Sequence, residues 1–256
     1  MGCHNTQFNI WWSCINFIQT STKVVSDLSI EEGGFLLINK PREWTSFDVV
    51  KKLRNICRIK KIGHAGTLDP LATGLLIVCY GKYTKKIEGV QSQKKEYIGT
   101  FKLGQTTPSF DLETEVDGNY PVEHITPELI ELTLAKFRGD IEQVPPQHSA
   151  VKVNGKRAYE HARKGEVVKL KVRQAYISKF DVNTDKLPEL SFLIECSKGT
   201  YIRSIARDLG KALNSGAYMS SLIRTKIGDF HLEDAVNMVD IVTQEDFFKF
   251  ANQFSE

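Results

Sequence analysis

Apolar residues begin to recur with a readable period just after Gly34. The run FLLI, residues 35–38, has strand length and is closed by Pro41, which has no amide hydrogen to give a ladder. Val49, Val50, Leu53, Ile56 and Cys57 then return at helical spacing. Thr45 or Ser46 can cap that helix, and Lys51, Lys52, Arg54 and Arg58 fall largely on its wet side. GLLIVCYG, residues 74–81, is an unbroken apolar run between glycines, the pattern of a buried strand. Tyr97, Gly99, Phe101 and Leu103 alternate with more polar neighbours, as do Leu190, Phe192, Ile194 and Cys196, so each set marks one face of a strand. Thr126 and Pro127 open a helix that Gly139 closes, with Leu129, Ile130, Leu134 and Phe137 inward. After a turn at Lys198 and Gly199, Thr200 begins another helix, with Ile202, Ile205, Ala206, Leu209 and Leu213 inside. Strands and helices interleave without a regular repeat, which predicts an α+β fold on a mixed sheet rather than a βαβ array. Residues 1–33 show no period and are expected to be a disordered extension.

Charge adds a second pattern. The chain of 256 residues carries a net charge of only +3, and 41% hydrophobic with 25% charged residues is ordinary globular composition. The charges are nevertheless segregated. KKLRNICRIKK, residues 51–61, holds six basic residues and no acidic one, and residues 152–173 hold eight basic residues against Glu160 and Glu166. From Asp229 onward seven acidic residues face Lys249, so residues 231–256 are expected to be an acidic tail. Basic segments of this kind suit a polyanionic partner as well as a solvated surface. The five cysteines show neither CxxC nor CxH spacing, which gives no disulfide framework and no zinc site. Cys79 and Cys196 lie in apolar strands and read as buried thiols of a reducing, cytoplasmic compartment. NIWWSCINFIQTS is apolar but follows no Lys or Arg, so a secretory signal is not expected, and no run reaches the length of a membrane span. The start MGCHNT fits a myristoylation pattern that is too short to adopt.

The candidate chemistry centres on GHAGTLDPLATG, residues 63–74. Gly63, Gly66 and Gly74 permit positive φ and close backbone approach, and Pro70 fixes the chain immediately after Asp69. The carboxylate is therefore held still, either for chemistry or to cap a turn. The stretch has neither GxxxxGK[ST] nor GxGxxG order, so it is not a phosphate loop. His64 has no second ligand at metal spacing. On residue chemistry alone this is a rigid carboxylate near a basic helix, with no cofactor or metal.

Four further stretches stand with it in order along residues 34–230. They are LLINKPREWTS, KKEYIGTFKLGQTTPSFD, FRGDIEQVPPQHSAVKVNGKRAYEHARKGE and CSKGTYIRSIARDLG. Together with the loop they closely resemble the motifs of the TruB family of tRNA pseudouridine synthases. The resemblance implies a catalytic domain over 34–230 with the pseudouridine synthase fold, a mixed, largely antiparallel sheet flanked by helices and loops. It implies that Asp69 is the catalytic aspartate, that Arg203 pairs with it and keeps it ionised, and that Tyr97 stacks on the extruded uracil. His64 matches the residue that fills the space the base vacates. Asp111, Tyr201 and Leu222 match pocket walls, and Lys40, which with Pro41 matches a motif beside the site, is expected with them and His64 among the substrate-binding residues. Lys152, Lys156, Arg157, Tyr159, Arg163 and Lys164 belong to a basic insertion, 152–173, that resembles the family's RNA clasp.

The implied reaction is isomerisation of uridine 55 in the TΨC loop of tRNA: the C1′–N1 bond breaks, the base turns, and C1′ joins C5. It needs neither metal nor redox cofactor. A glycosyl ester at C1′ and a glycal formed by loss of a 2′ proton both require Asp69. The expected partner is the TΨC arm of tRNA, bound by a monomer without an obligate protein partner or a membrane. Many relatives carry a further PUA domain after the catalytic one, and the residues beyond Phe230 are too few and too acidic for it. Two rival functions are a non-catalytic tRNA-binding or tRNA-folding protein, which would not need Asp69, Tyr97 and Arg203 together, and a synthase for another RNA.

Overall fold

The computed structural model describes residues 32–153 and 155–251, so residues 1–31 of the expected extension, Trp11 and Trp12 among them, lie outside the described residues. In chain order the first elements are β1 (Gly34–Lys40), α1 (Ser46–Cys57), β2 (Ile62–His64), β3 (Thr73–Tyr80), α2 (Ile87–Ser92) and β4 (Lys95–Leu103). A short pair, β5 (Gln105–Thr106) and β6 (Gly118–Asn119), precedes α3 (Pro127–Leu134) and β7 (Gly139–Gln143). The hairpin β8 (Lys152–Val153) and β9 (Lys156–Arg157) leads into α4 (Ala158–Ala162), and the long strands β10 (Arg173–Lys186) and β11 (Glu189–Cys196) follow. The chain then forms α5 (Ile202–Ala212), β12 (Ala217–Ile227), β13 (Phe230–His231), β14 (Val236–Asn237) and α6 (Gln244–Phe250).

Ten of these strands form one sheet in the order β14-β1-β3-β12-β4-β11-β10-β7, with β13 on β12 and β2 on β3. β1 with β14 and β3 with β12 are parallel, and the other ladders are antiparallel. The α+β fold on a mixed, largely antiparallel sheet is thus the observed one. On one face of β1 and β3, Leu36, Ile38, Val78 and Tyr80 pack with Val49, Val50 and Leu53 of α1 and Phe247 of α6. Their other face buries Leu37, Leu75, Ile77 and Cys79 beside Ile227. Cover on both faces accounts for the unbroken apolar run of β3. In the other half of the sheet Phe101, Phe180 and Phe192 pack with Ile130 of α3 and with Ile205 and Leu209 of α5.

One open choice is resolved and two expectations change. Of the two cap candidates, Thr45 caps α1: its hydroxyl accepts from the Asp48 amide at 3.0 Å while Asp48 accepts from the Thr45 amide at 2.9 Å. Thr200 does not begin α5; its hydroxyl donates to Ser197 O, closing the turn, and the helix starts at Ile202 with Tyr201 as its N-cap. The acidic tail expected after Phe230 is, as far as Ala251, part of the fold. β14 pairs with β1, and Met238, Ile241, Phe247 and Ala251 are buried in the α1 core while Glu233, Asp240 and Glu245 stay exposed. Among the described residues no helix is long and apolar enough to cross a membrane.

Candidate active site

Residues 65–72 join β2 to β3, and their backbone is bonded at every carbonyl from Gly66 to Pro70. Arg224 of β12 donates to Gly66 O at 3.1 Å and Thr67 O at 3.3 Å. Ser46, buried in the first turn of α1, accepts from the Leu68 amide at 2.9 Å and donates back to Leu68 O at 3.3 Å. Ala72 N closes a turn on Asp69 O at 3.1 Å. Pro70 O accepts from the Glu43 amide at 2.8 Å and from Lys40 Nζ at 3.2 Å. The residue before a proline cannot relax into helical geometry, and here its neighbours cannot move either. Asp69 is presented by a loop with no loose carbonyl on either side of it.

Lys40 explains part of that rigidity and corrects its expected role. It is fully buried at the end of β1, and its ammonium also donates to Pro41 O at 2.8 Å and Trp44 O at 2.6 Å. Burial lowers its pKa to about 8; the negative charge of Asp69 opposes the shift and the positive charge of Arg224 adds to it. All its donors are engaged from below the loop, so Lys40 is a clamp and not the substrate-facing residue the sequence suggested.

Above the loop, Arg203 from the first turn of α5 meets Asp69 with two parallel bonds, Nε to Oδ2 at 2.9 Å and Nη2 to Oδ1 at 3.0 Å. Such a fork fixes both the position and the tilt of the carboxylate. Nη1 donates to Ser109 O at 3.1 Å and Nη2 also to His148 O at 2.9 Å, while Asp111 Oδ2 lies 3.5 Å from Nε. Burial works against the guanidinium charge, but Asp69 and Asp111 outweigh it and the Arg203 pKa is raised. The arginine and Asp111 are both 4% exposed at their side chains, and Asp69 keeps 34%. A buried cation thus orients an anion that still faces solvent. Gln143, ending β7, brackets Tyr201 by accepting from its amide at 3.0 Å and donating to its carbonyl at 3.3 Å. That bracket anchors the helix start that carries Arg203. Asp111 is fixed in turn: its Oδ1 accepts from Glu113 N at 3.0 Å, and Thr107 and Ser109 hydroxyls donate to its carbonyl.

Tyr97 and Leu222 line the sheet side, on β4 and β12, where Leu222 pairs with Gly99 and Arg224 with Tyr97. Both side chains are buried, and burial raises the Tyr97 pKa, which keeps the phenol neutral. His64 ends β2, half-buried; burial lowers its pKa, and Nδ1 has no partner. The structure therefore brings Asp69, Arg203 and Asp111 into one network and sets Tyr97 and Leu222 on adjacent strands. The basic stretch stands apart: Lys152, Lys156 and Arg157 are exposed on the β8–β9 hairpin, and Arg163 and Lys164 are exposed after α4. Arg163 lies over the half-buried Tyr159 ring at 5.3 Å and reaches Glu113 at 3.6 Å, which ties this stretch to the Asp111 loop.

Arg224 and Ser46 are the residues that sequence reasoning missed. The available signal was an arginine following Leu222 and Ile223 in SLIRTKI and a second hydroxyl beside a cap. Among the described residues no three His, Cys, Asp or Glu side chains stand together as a metal site. A hollow lined by Glu43, Trp44, Asp48, Lys51, Lys52 and Asn55 lies on α1, and none of Asp69, Arg203, Asp111, Tyr97 and Leu222 lines it.

A family model described as the N-terminal domain of TruB family pseudouridylate synthases matches residues 54–202. A second, described as the tRNA pseudouridylate synthase B C-terminal domain, matches residues 203–251. The join falls between Ile202 and Arg203, inside α5, so Asp69 and Arg203 come from different matched segments that share one sheet. The tRNA pseudouridine synthase B of Phocaeicola vulgatus is 56% identical over 217 residues, 82% of this chain and 92% of that protein. The protein of the same name from Bacteroides fragilis is 52% identical over 228 residues, 86% of this chain and 98% of that protein. Among solved structures, a Cbf5-Nop10-Gar1 complex contains a chain that is similar with a TM-score of 0.65 and 27% identity, over 86% of this chain and 59% of that one. An H/ACA RNP bound to a substrate RNA containing 2′-deoxyuridine gives 0.63 and 25%, again over 86% and 59%. The chain spans less than two thirds of those two chains.

Proposed function

The chain belongs to the TruB family of pseudouridylate synthases, and from that premise we propose that it converts uridine 55 in the TΨC loop of tRNA to pseudouridine, with Asp69 as the catalytic carboxylate. The observation that carries this reading is the fork between Asp69 and Arg203, at 2.9 and 3.0 Å, on a loop otherwise bonded throughout. A carboxylate that only capped a turn would be aimed at backbone amides. This one is aimed outward and held by a buried cation.

The reaction is an isomerisation, so atoms balance within the nucleotide. The C1′–N1 bond breaks, the uracil turns, C1′–C5 forms, and the proton on C5 leaves as N1 gains one. Asp69 either attacks C1′, giving an ester that the turned base displaces, or accepts the 2′ proton and returns it. Arg203 keeps the carboxylate aimed, and Asp111 keeps Arg203 in place. Tyr97 supplies a neutral ring against which the base can lie. The uridine leaves the stack to reach Asp69, at a cost of a few kcal/mol, and His64 occupies the space left behind. Leu222 and Tyr201 wall the base. Lys152, Lys156, Arg157, Arg163 and Lys164, with Tyr159, contact the phosphates and sugars of the TΨC arm. The catalytic unit acts as a cytoplasmic monomer.

The test is to incubate the full chain with unmodified tRNA and with ribosomal RNA and to map pseudouridine in both. One new pseudouridine at position 55 of tRNA is the expected result. Modification of ribosomal RNA alone would move the substrate to another RNA, and binding without any pseudouridine would leave a folding protein.

A further inference from the structure

Two of the glycines of residues 63–74, Gly66 and Gly74, lie against one buried residue, Arg224. Its side chain is 1% exposed, among the largest fully buried ones in the described protein. Nε donates to Leu75 O at 2.8 Å, beyond the far end of the loop, while Nη1 and Nη2 take Thr67 O and Gly66 O near its start. One guanidinium therefore closes the loop across its base. Gly74 is the parallel partner of Arg224, with φ of +101°, and a Cβ there would lie 2.4 Å from Arg224 O and 2.7 Å from Arg224 N. Gly66, with φ of +98°, turns its carbonyl to the guanidinium, and a Cβ there would sit 3.6 Å from Nη1. Gly74 is required by the close approach of Arg224, and Gly66 by the positive φ that turns its carbonyl to the guanidinium.

On its other side Arg224 pairs in register with Tyr97, so β12 separates the Asp69 loop from the tyrosine strand at this point. Among the described residues no carboxylate pairs with the arginine; its charge is met by carbonyl dipoles. An apolar residue would fill such a place at less cost in desolvation, so stability alone does not account for a guanidinium there.

We propose that Arg224 is a positioning residue, fixing the Asp69 loop and the Tyr97 strand to each other so that the carboxylate and the ring address the same nucleotide. The inference rests on Asp69 being the catalytic carboxylate. It predicts that a change at Arg224 alters turnover rather than grip, because its side chain is almost wholly buried.

The experiment measures single-turnover conversion of a TΨC stem-loop at saturation, its Kd, and the melting temperature, for Arg224→Lys, Gly74→Ala and the pair. Lysine keeps the charge but cannot span three carbonyls; alanine at position 74, on the neighbouring β3, would meet the Arg224 backbone and shift the residue from its place. Each single variant should lower the rate on the order of 10²-fold, the loss expected for misplacement by an ångström. Kd should stay within about twofold, since phosphate contacts elsewhere set it. The pair should lose little more than the worse single variant, because both disturb the seating of the one residue that closes the loop. The loss should persist far below the melting temperature, which a merely less stable protein would not show. A normal rate in folded Arg224→Lys, or equal losses in rate and Kd, overturns the proposal. Should that variant not fold, Arg224→Gln, which cannot bond both ends of the loop, replaces it, and a normal rate there is equally fatal. Asp69→Asn is run alongside: if it stays active, the catalytic reading has failed and not the positioning one.

Discussion

In the proposed function the Asp69 loop and the basic stretch from Lys152 to Arg173 act on one RNA, and they hold their charge in opposite ways. In the loop, the cations Lys40, Arg203 and Arg224 are buried, and their donors end on carbonyls or carboxylates of neighbouring elements. In the basic stretch, Lys152, Lys156, Arg157, Arg163 and Lys164 are exposed, and of these Arg163 alone has a carboxylate within 4.0 Å among the described residues. Chemistry on one carbon atom rewards groups fixed in advance, because misplacement by an ångström is felt directly. Binding a polyanion rewards released counterions, which exposed and mobile cations supply without fixed geometry. One protein therefore shows both solutions, and each can be broken without the other.

The largest effect is expected in the buried set. Arg203→Met leaves Asp69 and Asp111 facing each other without a cation, and a broken buried pair costs about 3–5 kcal/mol. Single-turnover conversion should fall on the order of 10³-fold at nearly constant Kd. A rate within tenfold of the unchanged protein would remove the fork from the mechanism. A smaller loss tests the clamp itself. Ser46→Ala strips partners from both Leu68 N and Leu68 O, and unsatisfied buried groups cost about 1–3 kcal/mol. The urea midpoint should drop accordingly, with conversion reduced more than Kd. An unchanged midpoint would mean that Leu68 is held by something else.

The smallest effect concerns Lys40 and pH. Its pKa is about 8 in the folded protein and near its ordinary value of 10.5 in the unfolded chain. Between these pH values the unfolded chain binds the additional proton, so this group makes the folded protein more stable as pH rises through the window. Urea unfolding of the unchanged chain and Lys40→Met at pH 7, 8.5 and 10 isolates it. The stability of the unchanged chain relative to the variant should climb with pH; a flat difference would show that the buried ammonium titrates normally.

Sequence periodicity made β1, α1, β3, β4, β11 and α3 legible because each keeps one phase from end to end. It missed β12, the strand that joins the two halves of the sheet. That strand has two register shifts, between Met219 and Ser221 and between Arg224 and Lys226, and each shift reverses which face a side chain takes. The last segment was misread for a different reason: its carboxylates lie on the wet side of residues 231–251, so net charge hid the buried Met238, Ile241 and Phe247. At the site, Asp69 and Arg203 were legible through motif resemblance. The clamp was not, because Arg224 and Ser46 reach Gly66, Thr67 and Leu68 across long separations in sequence and act on backbone atoms. Carbonyl partners leave no pattern in side-chain type, and Lys40 was misassigned for the same reason.

The division between the two regions is tested most directly by measuring rate and Kd on one TΨC stem-loop for two variants. The first is Asp69→Asn; the second neutralises Lys156, Arg157, Arg163 and Lys164 together. Asp69→Asn should lose on the order of 10⁴-fold or more in single-turnover conversion with Kd nearly unchanged, as for other lost nucleophiles. The neutralised variant should bind more weakly, show a flatter plot of log K against log salt, and convert bound RNA at the unchanged rate. Orthogonal losses are the predicted result. If Asp69→Asn converts the RNA normally, or if both variants lose rate and affinity together, the account is contradicted.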